Sequence, residues 1–280
     1  MSRRFLMACV QLNSQDDLRA NLERCRYWIR RAVERDAELI LLPEDFAFLA
    51  RKEKDKQSLT DKDLESILDA IREEAIRFGV HILAGGHPVR TEEGDKFYNT
   101  STLLSPQGKI LAQYQKLHLF DADPPGAVPL RESDMMEAGK QVVVVDTELC
   151  KIGLSICYDL RFPELYREMM LSGADLLTVP AAFTLTTGKD HWKILLQARA
   201  IESQCYVAAP AQWGRHSENR HSFGSALISD PWGTLVACAA EGEGLAMGEF
   251  DPSCVERVRS IVPVREHLRR DLFPLKEPSS

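Results

Sequence analysis

The chain has 280 residues, of which 44% are hydrophobic and 28% charged, with 35 basic against 42 acidic side chains and a net charge of −7. That length suits one large α/β domain or two small ones, and it buries roughly three quarters of the unfolded surface, so neither metal nor disulfide is required for a core. The acidic balance disfavours a nucleic-acid binder, whose affinity comes from neutralising phosphates, and an anionic ligand would need a local cationic patch.

Strand and helix patterns then alternate, as in an α/β layer architecture. Phe5 to Leu12 reads as a strand rather than a signal peptide, because its apolar run is short and no small-residue cleavage site follows. Asp16 to Arg35 carries Leu18, Leu22, Cys25, Ile29 and Val33 at helical spacing, and Leu39 to Leu42 is a buried strand ending at Pro43 and Glu44. Thr60, followed by acidic residues, opens a helix to Phe78. Strands at 80–84, 99–104 and 110–115 follow, the last two joined by a Pro-Gln-Gly turn. In the second half, strands are expected at 142–146, 152–156, 176–179, 206–209, 225–229 and 235–239, with helices over 163–171 and 191–203. The turns SPQGKILAQ and DPWGTLVAC stand at equivalent points of the two halves. This weak repeat suggests one sheet per half, each covered by helices on one face, giving four layers, α-β-β-α; a single doubly wound sheet is the alternative. Residues 121–138 are Pro-rich and irregular, and loops of that length are often functional. No linker divides the chain, so 1–280 reads as one domain, with a core over about 4–260 and a tail over about 261–280 that wraps the surface or reaches a neighbouring subunit.

Seven cysteines, at 9, 25, 150, 157, 205, 238 and 254, are odd in number and form no CxxC pair, which suits reduced thiols in the cytoplasm. No apolar run approaches the 18 or so residues of a membrane span. With no HxH or HExxH pair, no GxGxxG, no Walker loop and no GxSxG elbow, neither a metal nor a nucleotide cofactor is expected. What remains is a set of reactive side chains just after strands: Glu44, Lys116 and Cys157. Singly, each has a bland reading as a loop carboxylate, a surface lysine and a packed cysteine. Together they can run acyl transfer. A carboxylate takes the thiol proton, and an ammonium holds the thiolate and then the tetrahedral oxyanion. The Tyr158 backbone N–H can be a second oxyanion donor.

The segments LILLPEDFAF, QYQKLHLFDAD, RESD, GLSICYDLRFPELYRE and TGKDHWKILLQARAIESQCYVAAPAQWGRH resemble the nitrilase superfamily of carbon–nitrogen hydrolases over roughly residues 4–260. The resemblance implies an αββα sandwich, usually paired into αββα–αββα dimers, and a Glu44–Lys116–Cys157 triad with Glu132 orienting the lysine. Among its branches the chain is most similar to the Nit-type amidases, which release 2-oxoglutarate and cysteinylglycine from deaminated glutathione. Alternatives are an ω-amidase for 2-oxoglutaramate, an N-carbamoyl amine hydrolase, and a non-catalytic scaffold. Arg161 is a candidate anchor for a substrate carboxylate, against an ion pair with Asp159 or Glu164. Phe183 and Thr187 are candidates for the pocket rim. The Arg215-His216 and Arg220-His221 cluster is either a site for the leaving group's carboxylate or a solvated basic loop. His118 and His191, the latter read as opening a helix, are the rival general bases.

Overall fold

The computed structural model describes residues 2–123 and 129–272. Strand β1 (Phe5–Leu12) alternates two apolar faces, with Met7 and Cys9 on one side and Ala8, Val10 and Leu12 on the other. Helix α1 (Leu18–Val33) starts where Asp17 accepts from the Ala20 N–H, and its Leu22, Cys25, Ile29 and Ala32 form the buried stripe. After β2 (Leu39–Leu41), helix α2 (Asp61–Phe78) is closed at its start by a Thr60–Asp63 capping box and at its end by Gly79 at φ +65°. Strands β3 (His81–Arg90), β4 (Phe97–Leu104) and β5 (Ile110–Gln115) form a meander. The expected irregular loop contains β6 (Asp121–Ala122), β7 (Leu130–Arg131) and β8 (Met136–Glu137), with residues 124–128 outside the described region.

The second half supplies β9 (Val143–Asp146), β10 (Lys151–Leu154), α3 (Pro163–Leu171), β11 (Leu176–Thr178) and α4 (Leu185–Ser203). Helix α4 begins six residues before the expected His191, so His191 lies inside it and does not open it. Leu-Thr-Thr-Gly is a poor helix start by propensity, but packing requires it: a Cβ on Gly188 would stand 2.3 Å from Phe223 Cβ, so only glycine lets α4 approach that strand. Next come β12 (Tyr206–Ala209), β13 (Ala211–Arg215), β14 (His221–Phe223), β15 (Leu227–Ser229), β16 (Leu235–Cys238), β17 (Gly244–Phe250), α5 (Pro252–Ile261) and α6 (Val264–His267). The expected tail enters these last helices, and residues 273–280 lie outside the described region.

One sheet runs β14-β13-β1-β2-β3-β4-β5, with β17 also on β1 and β8 on β4; the other runs β16-β15-β12-β11-β10-β9. The two sheets face each other through Met7, Cys9, Leu39 and Leu41 on one side and Ile152 and Leu154 on the other. Helices α1 and α2 cover the outer face of the first sheet through Ala8, Val10, Ile40 and Ile82, and α3 and α4 cover the second, with Gly153 against Met169. The architecture is therefore the α-β-β-α sandwich. The expectation of one half per sheet is corrected: β13, β14 and β17 come from the second half yet complete the first sheet. β17 pairs antiparallel along β1 from Phe5↔Phe250 to Gln11↔Gly244. Gly244 and Gly248 dilute its strand pattern in the sequence.

Candidate active site

Strands from both sheets deliver their ends to one cavity. Glu44 follows β2 through Pro43, Lys116 follows β5 directly, and Cys157 opens a 3-10 turn after β10. Glu132 opens another 3-10 turn between β7 and β8. All four are buried, Glu44 at 5%, Lys116 at 2%, Glu132 at 8% and Cys157 at 9% exposure. The Lys116 ammonium donates to Glu44 Oε1 at 2.9 Å and to Glu132 Oε1 and Oε2 at 3.0 and 2.8 Å. Cys157 lines the same cavity as Glu44 and Lys116, its thiol facing the Glu44 carboxylate closely enough for each to shift the other's proton affinity. Glu44 Oε2 accepts from the Ala182 N–H at 2.9 Å, and Glu132 Oε2 from the Phe120 N–H at 2.7 Å. The three head groups picked from the sequence thus meet, and the fourth joins them.

Cys157 sits at φ +47°, a left-handed conformation that costs a non-glycine residue about 1–3 kcal/mol and persists only where neighbours enforce it. Its N–H donates to Pro180 O at 2.9 Å, while the Ile156 N–H is held by Asp159 Oδ2 at 2.9 Å. Tyr158 is the second residue of the turn, so its N–H has no partner three residues back inside it and remains a donor at the nucleophile's side. Asp159, fully buried, also accepts from the Tyr114 hydroxyl at 2.7 Å and from the His118 N–H at 3.1 Å, and His118 Nδ1 donates to it at 2.7 Å. One carboxylate therefore ties the Cys157 turn to the segment bearing Lys116.

The electrostatics favour an ion pair beside a neutral thiol. Burial alone would raise the Glu44 carboxyl, but Lys116 and the donors around it hold it below the ordinary carboxylate value. Burial would lower Lys116, yet Glu132 and Glu44 push it well above the usual lysine value. Burial, and then the adjacent Glu44, push the Cys157 thiol well up. A carboxylate poised against a thiol, with an ammonium alongside, can exchange that proton and neutralise the charge that results.

The cavity has a volume of about 1300 Å³, and Arg161, Phe183 and Thr187 line it together with the four groups above. The Arg161 guanidinium lies over the Phe183 ring, 5.2 Å from its centre, and donates to His191 Nδ1 at 3.4 and 3.5 Å. Among the described residues it pairs with neither Asp159 nor Glu164. Phe183 is both lining and core, packed 5.0 Å from Trp192, and the Thr187 hydroxyl is 2.7 Å from that of Thr184. Both rival histidines are engaged elsewhere, His118 on Asp159 and stacked on Phe162 at 3.7 Å, and His191 by Arg161.

The basic cluster is divided: Arg215 and His221 are exposed, as in a solvated loop, whereas Arg220 and His216 turn inward. Arg220 reaches inward to Asp45 Oδ2 at 3.2 Å and Glu53 Oε1 at 3.1 Å, and His216 is buried between Ser14 O and the Ser222 hydroxyl. Lys56 completes this second charged cluster, 2.8 Å from Glu53 and 3.3 Å from Asp45. Sequence reasoning missed it, and missed Asn99 and Asp159 as well. Asn99 is one of four consecutive polar residues in the strand FYNTSTLL and Asp159 an acid two places after the cysteine, and neither position singles them out.

The carbon–nitrogen hydrolase family model matches residues 6–260. The chain belongs to that family. This carbon–nitrogen hydrolase is 47% identical over 272 residues to a deaminated glutathione amidase of Synechocystis sp. (strain PCC 6803 / GT-S), covering 94% of this chain and 97% of that one. It is 40% identical to the deaminated glutathione amidase of Homo sapiens, covering 96% of this chain and 83% of the relative. Among solved structures, the Caenorhabditis elegans NitFhit protein superposes with a TM-score of 0.94 at 39% identity, covering all of this chain and 69% of that one. Saccharomyces cerevisiae Nit3, a member of branch 10 of the nitrilase superfamily, superposes at 0.85 with 32% identity, covering 94% of this chain and 96% of that one. Among the described residues, no cluster of three or more His, Cys, Asp or Glu side chains could hold a metal, and no helix is long and apolar enough to cross a membrane.

Proposed function

We propose that this amidase hydrolyses the side-chain amide of deaminated glutathione, giving 2-oxoglutarate and cysteinylglycine through a thioester on Cys157. The observation that carries the reading is the Lys116 ammonium lying 2.9 Å from Glu44 and 2.8 Å from Glu132 beside the buried Cys157. Glu44 takes the thiol proton as sulfur attacks the amide carbon. The oxyanion forms against Lys116 Nζ and the Tyr158 N–H, each such donor being worth about 3 kcal/mol in the transition state. Glu44 returns the proton to the departing amine nitrogen as the carbon–nitrogen bond breaks. It then takes a proton from water, whose oxygen attacks the thioester; the carbon–sulfur bond breaks, the acid leaves and the thiol re-forms. Arg161 holds the carboxylate of the 2-oxo acid unit, its guanidinium set over Phe183, with Thr187 on the same wall.

Relatives of that name at 40–47% identity support the substrate, and a cavity of about 1300 Å³ has room for a dipeptide leaving group as well as for ammonia. The chain is taken as one domain, because three strands of its second half complete the first sheet. Seven free cysteines suit a reducing cytoplasm. Ile194 and Ile201, seven residues apart on α4 and both more than half exposed, suit a homodimer joined through that helix.

The test is a side-by-side assay of deaminated glutathione, 2-oxoglutaramate and an N-carbamoyl amine. The highest kcat/KM is expected with the first. A preference for the second would make the protein an ω-amidase, and turnover of none by folded protein would make it a scaffold.

A further inference from the structure

Asn99 lies behind the reacting groups, on β4, 2% exposed and outside the cavity lining. Its Nδ2 donates to Glu44 Oε1 at 2.9 Å and to Glu132 Oε1 at 3.1 Å, the same two oxygens that accept from Lys116. Its backbone carbonyl accepts from the Lys116 N–H at 2.9 Å. One residue therefore grips both carboxylates by side chain and the lysine by backbone. The amide cannot be turned round, since ionised carboxylates only accept and Oδ1 would be repelled. Oδ1 is buried without a partner and rests against Gly86, where an added Cβ would stand 2.3 Å from it and 3.0 Å from Glu44 Cγ. The bare backbone of Gly86 leaves room for this placement.

We propose that Asn99 is a positioning residue that splays Glu44 and Glu132 to either side of Lys116, so that Glu44 stays a free base aimed at Cys157 while Glu132 keeps the lysine. Two carboxylates and one ammonium leave the buried group with an excess negative charge. Without a neutral double donor, one carboxyl would take up a proton, or the two would compete for Lys116. The other titratable groups facing the pair are the neutral Cys157 thiol and the charged Asp45, Glu53, Lys56 and Arg220 cluster beside Glu44. Replacing Asn99 leaves these residues in place. The inference rests on the reading of Glu44 as general base.

The test is the pH profile of kcat/KM for Asn99→Leu, which keeps the forked shape of the side chain and removes both donors, with Asn99→Ala as a second variant that removes them without adding bulk. Hydrogen bonds to the charged form favour it, so their loss raises the carboxyl pKa and moves the acid limb to higher pH. The expected result is an acid limb moved up by about one pH unit or more, a loss of about tenfold on that limb that shrinks as pH rises, and KM little changed. A uniform loss at every pH in the folded variant, or an unmoved limb, would overturn the inference. If Asn99→Leu does not fold, the Asn99→Ala profile decides by the same criterion. Failure of the underlying reading is distinguishable, because full activity in Cys157→Ala or Glu44→Gln would remove the base and nucleophile without reference to Asn99.

Discussion

Cys157 begins as a neutral thiol, since burial and Glu44 both oppose its ionisation. Thiolate absorbance in the ultraviolet should therefore be absent at neutral pH, with no difference between the wild type and Cys157→Ala; a full thiolate signal would reverse the assignment of the resting proton. Cys157→Ala should lower turnover by at least on the order of a thousandfold while leaving the circular dichroism unchanged. The pH sign follows from Glu44, whose carboxyl is held below its ordinary value by Lys116 against the effect of burial. Its ionised form stabilises the fold above the unfolded pKa of about 4.3, and that contribution is lost as pH falls through the lower folded value. Activity that needs Glu44 as a base should accordingly persist below about pH 4.3, the ordinary glutamate value, and fail only as pH falls through the lower folded value, as read from kcat/KM. At the cavity wall, Arg161→Ala should slow carboxylated amides about tenfold or more relative to neutral ones. Equal slowing of both would remove its anchor role.

At the scale of elements, the site depends on turns that hold reactive side chains at strand ends, and on helices brought close enough to support them. Gly188 lets α4 meet Phe223, and α4 carries both His191, which holds Arg161, and Trp192, which backs Phe183. Gly188→Ala should cost about 1–3 kcal/mol in urea unfolding and weaken substrate binding with it. The turn at Glu53–Ser58 is fastened to the residue after Glu44 through Lys56, Asp45 and Arg220. Burial raises the Asp45 carboxyl to about 6 despite its two cations, whereas Lys56 and Arg220 hold Glu53 at about 2 against the same effect. Removing a cation from such a buried pair strands the carboxylates, so Arg220→Ala should lose about 3–5 kcal/mol of stability by denaturant titration. A loss below about 1 kcal/mol would mark the cluster as solvated after all.

Across the whole molecule, the layers were legible because their periodicities are local: α2 with its Thr60 cap, β5 and α3 follow from spacing and caps in their own segments. Glu44, Lys116 and Cys157 were legible as residue types that share one chemistry, each just after a strand. What spacing could not carry was long-range pairing. β17 joins β1 across more than two hundred residues, α4 starts early because of Phe223, and Arg220 turns inward because Asp45 and Glu53 await it. Asn99 and Asp159 act through partners distant in sequence, so a single chain read in order shows them only as ordinary polar residues. The central claim is that one sulfur carries the acyl group between the two halves of the reaction. Rapid quenching of the enzyme with deaminated glutathione, followed by peptide mass spectrometry, tests it most directly. A 2-oxoglutaryl adduct on the Cys157 peptide, rising and decaying with turnover, is the predicted result; an adduct on another residue, or undiminished hydrolysis by Cys157→Ala, would contradict it.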